Sequence, residues 1–335
     1  MNMSDLARAC RLSKGTVSMA LNNNPRISPR TRDRVRAKAL KLGFSVDPKL
    51  AQVMSALGRR RAEHISAPIG IISMWPVRGA WKAQHGLDRF HAGLVQRAAE
   101  LGCETQEFWV GDPAMTPRRM EQILKARGIE ALVVLSYPAA PARLQIDISS
   151  FACSVIGRAL VSPRVYAVDH DHHQGLFLAV QHLRRRGRTR PALVITEDLN
   201  ERTMHCWTAA YHFESHQLPA RQRIPVWIIP REARRKRDFL LWFEKYRPDV
   251  ILGSDLTLPF LKECGLTVPR DVAFATLFWM PHLAQLAGID IRDEVIAGRA
   301  VELVLEQLRT NRHGIPEDPE TVLIEGKWRD GPSIG

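Results

Sequence analysis

Ser13, Lys14, Gly15, Thr16, Ser18, Met19 and Asn22 place small hydrogen-bonding side chains, a cation and a thioether along one short stretch. Laid on a helix capped by Ser13, Val17, Ala20 and Leu21 fall on one side and Lys14, Gly15, Ser18, Met19 and Asn22 on the other. Hydroxyls and an amide can donate and accept at base edges, a lysine can meet a phosphate, and a methionine can touch a thymine methyl. This is the chemistry of reading a duplex rather than of breaking bonds. Ser4, Arg30, Thr31 and Arg34 are further candidates for DNA contact, the arginines by reaching phosphates.

A second cluster, Asp169-His170-Asp171-His172-His173, brings imidazoles and carboxylates together. Consecutive residues at a helix start point in different directions, so the run reads as a cap followed by solvated polar residues, and no metal is expected. No nucleophile elbow, dinucleotide glycine fingerprint or P-loop occurs. No cofactor is expected, and an enzyme in this chain would need a constellation that is not there.

The elements that must hold the first cluster can be read from local signals. Ser4–Cys10 forms a first helix, Arg11-Leu12 a turn, and Ser13 caps a second helix by accepting from the Thr16 amide. A third helix is capped by Ser28, opened by Pro29 and stopped by Gly43, with Val35, Ala39 and Leu42 as its packing stripe. Two short helices joined by a tight turn make a helix-turn-helix, its second helix sized for the major groove. Residues 1–61 carry fourteen Lys and Arg against Asp5, Asp33 and Asp47, so +11 of the net +13 lies there. A basic module on a near-neutral body points to a polyanion.

From Pro68 onward apolar runs alternate with helical stretches, and the alternation restarts near Asp169. Two βα series predict two parallel-sheet lobes with a cleft at the carboxyl ends of their strands. The fold class expected is therefore an all-α headpiece plus an α/β bilobed domain. The domains are a headpiece at 1–46, a hinge helix and linker at 47–66, and a bilobed domain at 67–335. Lobe 1 takes about 67–163 plus 291–325, and lobe 2 about 164–290 plus the C-terminal tail. Five scattered cysteines without a CxxC pair suggest free thiols in a reducing compartment. With no signal peptide and no membrane-length apolar run, a cytoplasmic protein is expected, with no membrane partner.

Asp5-Leu6-Ala7, Ser13, Thr16-Val17-Ser18, Ala20-Leu21-Asn22, Thr31-Arg32, Val35 and Leu42-Gly43-Phe44 resemble the headpiece of the lactose/galactose-repressor (LacI/GalR) family. In the body, Asp169, Gly175, His182-Leu183, Gly187, Pro248-Asp249-Val250, Val268-Pro269-Arg270-Asp271-Val272 and Gly298-Arg299-Ala300-Val301 extend the resemblance. It implies a periplasmic-binding-protein-like domain and a regulator, most simply a repressor, that binds a pseudo-palindromic operator in double-stranded DNA as a homodimer. A small-molecule effector, with sugars or sugar derivatives among the classes implied, would control it from the cleft. The alternative is an architectural DNA binder whose lobes only dimerise, with no effector.

The resemblance also implies residue roles. A leucine of the family's hinge helix wedges into the minor groove, and Met54 and Leu57 are the candidates, although 47–66 departs from the usual Ala-Arg-Ser-Leu pattern. Arg202 stands where the family has its cleft arginine, and with Asp255 would anchor a polyhydroxylated ligand. Trp75, Trp81 and His85 follow the first strand, where loops enter the cleft mouth. Where the family has Gly-(Phe/Tyr)-Asp-Asp, this chain has Leu277-Phe278-Trp279-Met280, so an aromatic, Trp279, replaces the acidic contact. Met19 stands where many relatives have arginine, which implies an operator other than the family's commonest one.

Overall fold

The computed structural model describes residues 3–21, 27–42, 68–83, 87–135, 141–231 and 235–335. The headpiece comprises α1 (Met3–Cys10), α2 (Lys14–Leu21) and α3 (Pro29–Lys41). Leu6, Val17, Ala20 and Val35 are completely buried in its small core, with Ala7, Cys10 and Ala39 around them. Arg11 turns the chain between α1 and α2 with a φ of 53°. Leu42, expected in the packing stripe, is instead 39% exposed. It is the C-cap of α3, where the helix ends and its side chain leaves the buried face.

In the first lobe β1 (Ile69–Ser73), β2 (Thr105–Trp109), β3 (Ala131–Val134), β5 (Ala152–Ile156), β7 (Tyr166–His170) and β13 (Thr321–Ile324) form one sheet. The order is β13-β7-β5-β3-β1-β2, and every pair is parallel. The inner strands β1, β3 and β5 are buried at every residue, as expected when helices cover both faces of a parallel sheet. A short ladder of β4 (Ala142–Arg143) and β6 (Leu160–Ser162) lies beside it in the chain. On one face α4 (Leu87–Glu100) packs along α11 (Asp293–Arg309), and Gly93 lets them meet closely: a β-carbon there would lie 2.5 Å from the Glu294 backbone. On the other, Met120 and Leu124 of α5 (Pro117–Ala126) reach Ile72, Leu132 and Val134.

The second sheet orders β14-β12-β11-β10-β8-β9: β8 (Pro191–Thr196), β9 (Trp227–Ile229), β10 (Val250–Gly253), β11 (Ala273–Thr276), β12 (Ala287–Asp290) and β14 (Lys327–Arg329). Only β14 runs antiparallel. α6 (His172–Arg185) and α8 (Cys206–His216) pack on one face, and α9 (Lys236–Tyr246) and α10 (Thr257–Glu263) on the other.

Two expectations change. Residues 164–170, expected in lobe 2, belong to the first sheet, where β7 pairs between β5 and β13, and the chain crosses only after His170. A helix was expected from about Arg202 to His216. Instead Arg202 ends a short α7 (Glu197–Arg202), and Met204 and His205, at φ of 53° and 57°, break the chain before α8. The chain crosses between lobes after His170, after Asp290, and between Ile324 and Lys327. No helix among the described residues is long and apolar enough to cross a membrane.

Candidate functional site

The headpiece presents its first candidate cluster on α2. The Ser13 hydroxyl accepts from the Thr16 amide at 3.1 Å and lies 2.8 Å from the Thr16 hydroxyl. With Val17 and Ala20 drawn fully into the core, Lys14 and Gly15 are left exposed and Thr16 and Met19 half-exposed. On α3, Ser28 caps through the Thr31 amide at 3.3 Å, and Arg30 and Arg34 are exposed. The side chains of Ser4 and Ser18, and residues Asn22, Met54 and Leu57, lie outside the described residues.

The second candidate site is a cavity of about 170 Å³ between the lobes. The carboxyl ends of the strands supply its walls: Trp75 follows β1, Arg158 follows β5, Asp169 is the last residue but one of β7, and Ser254-Asp255 follow β10. Of the residues expected there, Trp75, Arg202, Asp255 and Trp279 line it, whereas the Trp81 side chain and His85 lie outside the described residues. Trp279 is held in place, its Nε1 donating to the Leu286 carbonyl at 3.0 Å and its ring meeting the Arg329 guanidinium at 5.3 Å.

Several cavity residues were not anticipated. Arg158 Nε donates to Asp169 Oδ2 at 2.9 Å while its Nη2 reaches Cys206 Sγ at 2.9 Å. His172 Nε2 lies 3.5 Å from the same carboxylate oxygen. Burial pushes the Asp169 carboxyl up, but His172 and Arg158 outweigh it and hold it below the ordinary aspartate value. Arg202 and Asp255 make no ion pair with each other, and burial draws the Arg202 guanidinium below its usual range against the pull of Asp198 and Asp169. Asp293, at the start of α11, is pushed up to about 7 by burial although Arg89 Nη1 stands 2.9 Å away.

The histidine run is not solvated as expected. Asp171 does cap α6, accepting from the Gln174 amide at 3.0 Å. His170 and His172, however, are 1% and 4% exposed. His170 is covered by the crossing segment at Ile324, and His172 by Trp207 and Phe278 of the second lobe, all distant in the chain. Among the described residues no group of three or more His, Cys, Asp or Glu is placed to hold a metal. The position of Arg158 just beyond an apolar strand was the one signal that could have marked it as a cleft residue.

A helix-turn-helix on a basic headpiece, joined in one chain to two parallel-sheet lobes around a cavity, is the build of DNA-binding transcriptional regulators. Residues 2–47 match the model of the bacterial regulatory proteins, lacI family. An HTH-type transcriptional regulator of Lachnoclostridium phytofermentans is 22% identical over 290 residues, 82% of this chain and 81% of its own. The complex of the transcriptional regulator CelR with cellobiose superposes with a TM-score of 0.56 at 16% identity, covering 99% of each chain. The lac repressor dimer bound to operator and the anti-inducer ONPF gives 0.53 at 16%, covering 100% of this chain and 99% of that one. The lacI-family match covers the headpiece, and the chain as a whole shares the fold of these regulators.

Proposed function

We propose that this regulator is a repressor that binds a pseudo-palindromic operator as a homodimer and is controlled by a small molecule in the interlobe cavity. The observation that carries the reading is the uncovered face of α2, where Lys14, Gly15, Thr16 and Met19 stand free of the core that Val17 and Ala20 fill. A duplex major groove admits such a helix, and a two-fold dimer matches a palindrome. Control by a ligand rests on differential binding: a molecule touching both lobes favours the arrangement in which both walls reach it, and so shifts operator affinity. The relatives bound to operator and to cellobiose support both halves of this reading by likeness of fold.

Selection of sites from random duplex DNA by the purified full chain, at two salt concentrations, tests the proposal. A palindromic site that survives the higher salt is the expected result. Sequence-blind binding that vanishes with salt would leave only the phosphate contribution and overturn it.

A further inference from the structure

We propose that the interlobe cavity takes a flat aromatic carboxylate bearing a hydroxyl or amino group, rather than a sugar. This rests on the cavity being the effector site and concerns what the effector is. The polar groups lining the cavity decide it, because a sugar needs a donor or acceptor for each hydroxyl it buries, and a buried hydroxyl without one is costly.

Most of those groups are already engaged. Arg158 is held by Asp169 and Cys206, and Asp169 also accepts from the His170 amide at 2.9 Å. The Thr203 hydroxyl donates back to the Leu199 and Asn200 carbonyls within its own helical turn. Asp293 faces Arg89. Among the described residues no Asn or Gln lines the cavity. What stands without a hydrogen bond or ion pair there is the Arg202 guanidinium, the Asp255 carboxylate, the buried Ser254 hydroxyl and the buried His172 Nδ1.

The rest of the wall is apolar and includes the rings of Trp75, Phe90, Phe278 and Trp279. One unpaired guanidinium fits one carboxylate, for which its planar fork supplies two parallel donors. The aromatic faces fit a flat ring by stacking or edge contact. Asp255, beside Ser254, would repel a second acid but accepts a hydrogen bond, which a phenolic hydroxyl or an amine on the ring provides. Trp279-Met280, standing where the resemblance places two acids, move the cavity the same way, towards fewer acceptors and more ring surface.

Isothermal titration of the full chain with 4-hydroxybenzoate, 4-aminobenzoate, benzoate, glucose and cellobiose tests this. The two substituted acids are expected to bind more tightly than benzoate, and the sugars to give no heat. Arg202→Ala is expected to weaken the acids about tenfold or more, and Asp255→Asn to narrow the advantage of 4-hydroxybenzoate over benzoate. Both variants are first checked for cooperative melting, and the comparison among ligands on the unmodified chain stands without them. Heat from glucose or cellobiose with none from the acids overturns the aromatic assignment and leaves the effector reading intact. If neither set binds, the assignment also fails. If a deproteinised small-molecule cell extract then leaves the melting temperature unmoved as well, the effector reading falls with it.

Discussion

His170 Nδ1 lies 3.1 Å from the Ile324 carbonyl, so one imidazole joins the first crossing between the lobes to the third. Burial holds this ring down at about 4, with His172 adding to the effect and the Ile324 carbonyl, Asp169 and Asp171 opposing it. Asp293, just past the second crossing, is displaced the other way, to about 7, chiefly by burial, with Arg89 opposing and Glu294 and Asp290 reinforcing. The two therefore act oppositely on stability between about pH 4 and 7. An unfolded histidine takes up its proton near 6.5 and the folded one near 4, so His170 favours the folded state above that window and loses its contribution as pH falls. An unfolded aspartate releases its proton near 4 and the folded one near 7, so Asp293 favours the folded state at low pH and loses its contribution as pH rises.

The expected outcome is that His170→Gln and Asp293→Asn tilt the pH dependence of urea unfolding in opposite directions. Relative to the parent, the His170 variant should lose stability as pH rises through the window and the Asp293 variant should gain it. Each slope is at most about 1.4 kcal/mol per pH unit, the limit for one proton. Parallel curves for parent and variants would mean that neither group is displaced as described.

The same ring sets a steric demand on α6. A β-carbon at Gly175 would lie 2.4 Å from His170 Nε2 and 3.1 Å from its Cε1. Gly175→Ala should therefore cost about 1–3 kcal/mol from overpacking, less the gain from better helix propensity. Adding His170→Ala should recover part of that loss. A double-mutant cycle by chemical denaturation measures the coupling, and purely additive effects would show that the ring moves aside freely.

Helix starts were legible in the sequence because a cap is a local contract: Ser13 with Thr16, Ser28 with Thr31, and Asp171 with Gln174 are each three residues apart. The βα alternation was legible because inner parallel strands are uniformly apolar. Pairings between distant segments were not. Whether Tyr166–His170 joins the first sheet or the second is decided by its pairing with β5 and with β13, the latter about 150 residues later, and no local pattern encodes it. Likewise His170 and His172 carry polar side chains at a capped helix start, which reads as surface until Ile324 and Trp207 are placed against them. The break after Arg202 was hidden because Met204 and His205 adopt left-handed backbone without a glycine to mark it. In the cavity, Arg202 and Asp255 came from resemblance alone, and Arg158 was missed because its partner Asp169 sits on another strand.

The headpiece caps should carry stability independently of the lobes. Ser13→Ala removes the acceptor for the Thr16 amide and should cost the headpiece about 1 kcal/mol, with Ser13→Asp preserving it. Hydrogen exchange on the full chain reads this directly. The amides of Val17 and Ala20 should exchange faster in the alanine variant while those of β3 and β10 stay unchanged. Uniform acceleration across the chain would instead tie the cap to global unfolding.

Lys14 and Met19 lie on the same uncovered face of α2 but should act on DNA through different physics. An exposed lysine beside a groove neutralises a phosphate and releases a counterion, so Lys14→Ala should weaken binding to all duplexes alike. It should also reduce the slope of log affinity against log salt by about one. A methionine carries no charge and contributes only through base-edge contact. Met19→Ala should therefore leave that slope unchanged while relaxing preference at one operator position. Met19→Arg brings a fork that matches guanine, and should create a preference for guanine worth about 1–3 kcal/mol at that position. Fluorescence anisotropy against a selected site and its single-base variants, at several salt concentrations, separates the two effects. If Met19→Arg instead strengthens every sequence equally and steepens the salt slope, residue 19 faces the backbone, and α2 does not lie in the groove in the proposed orientation.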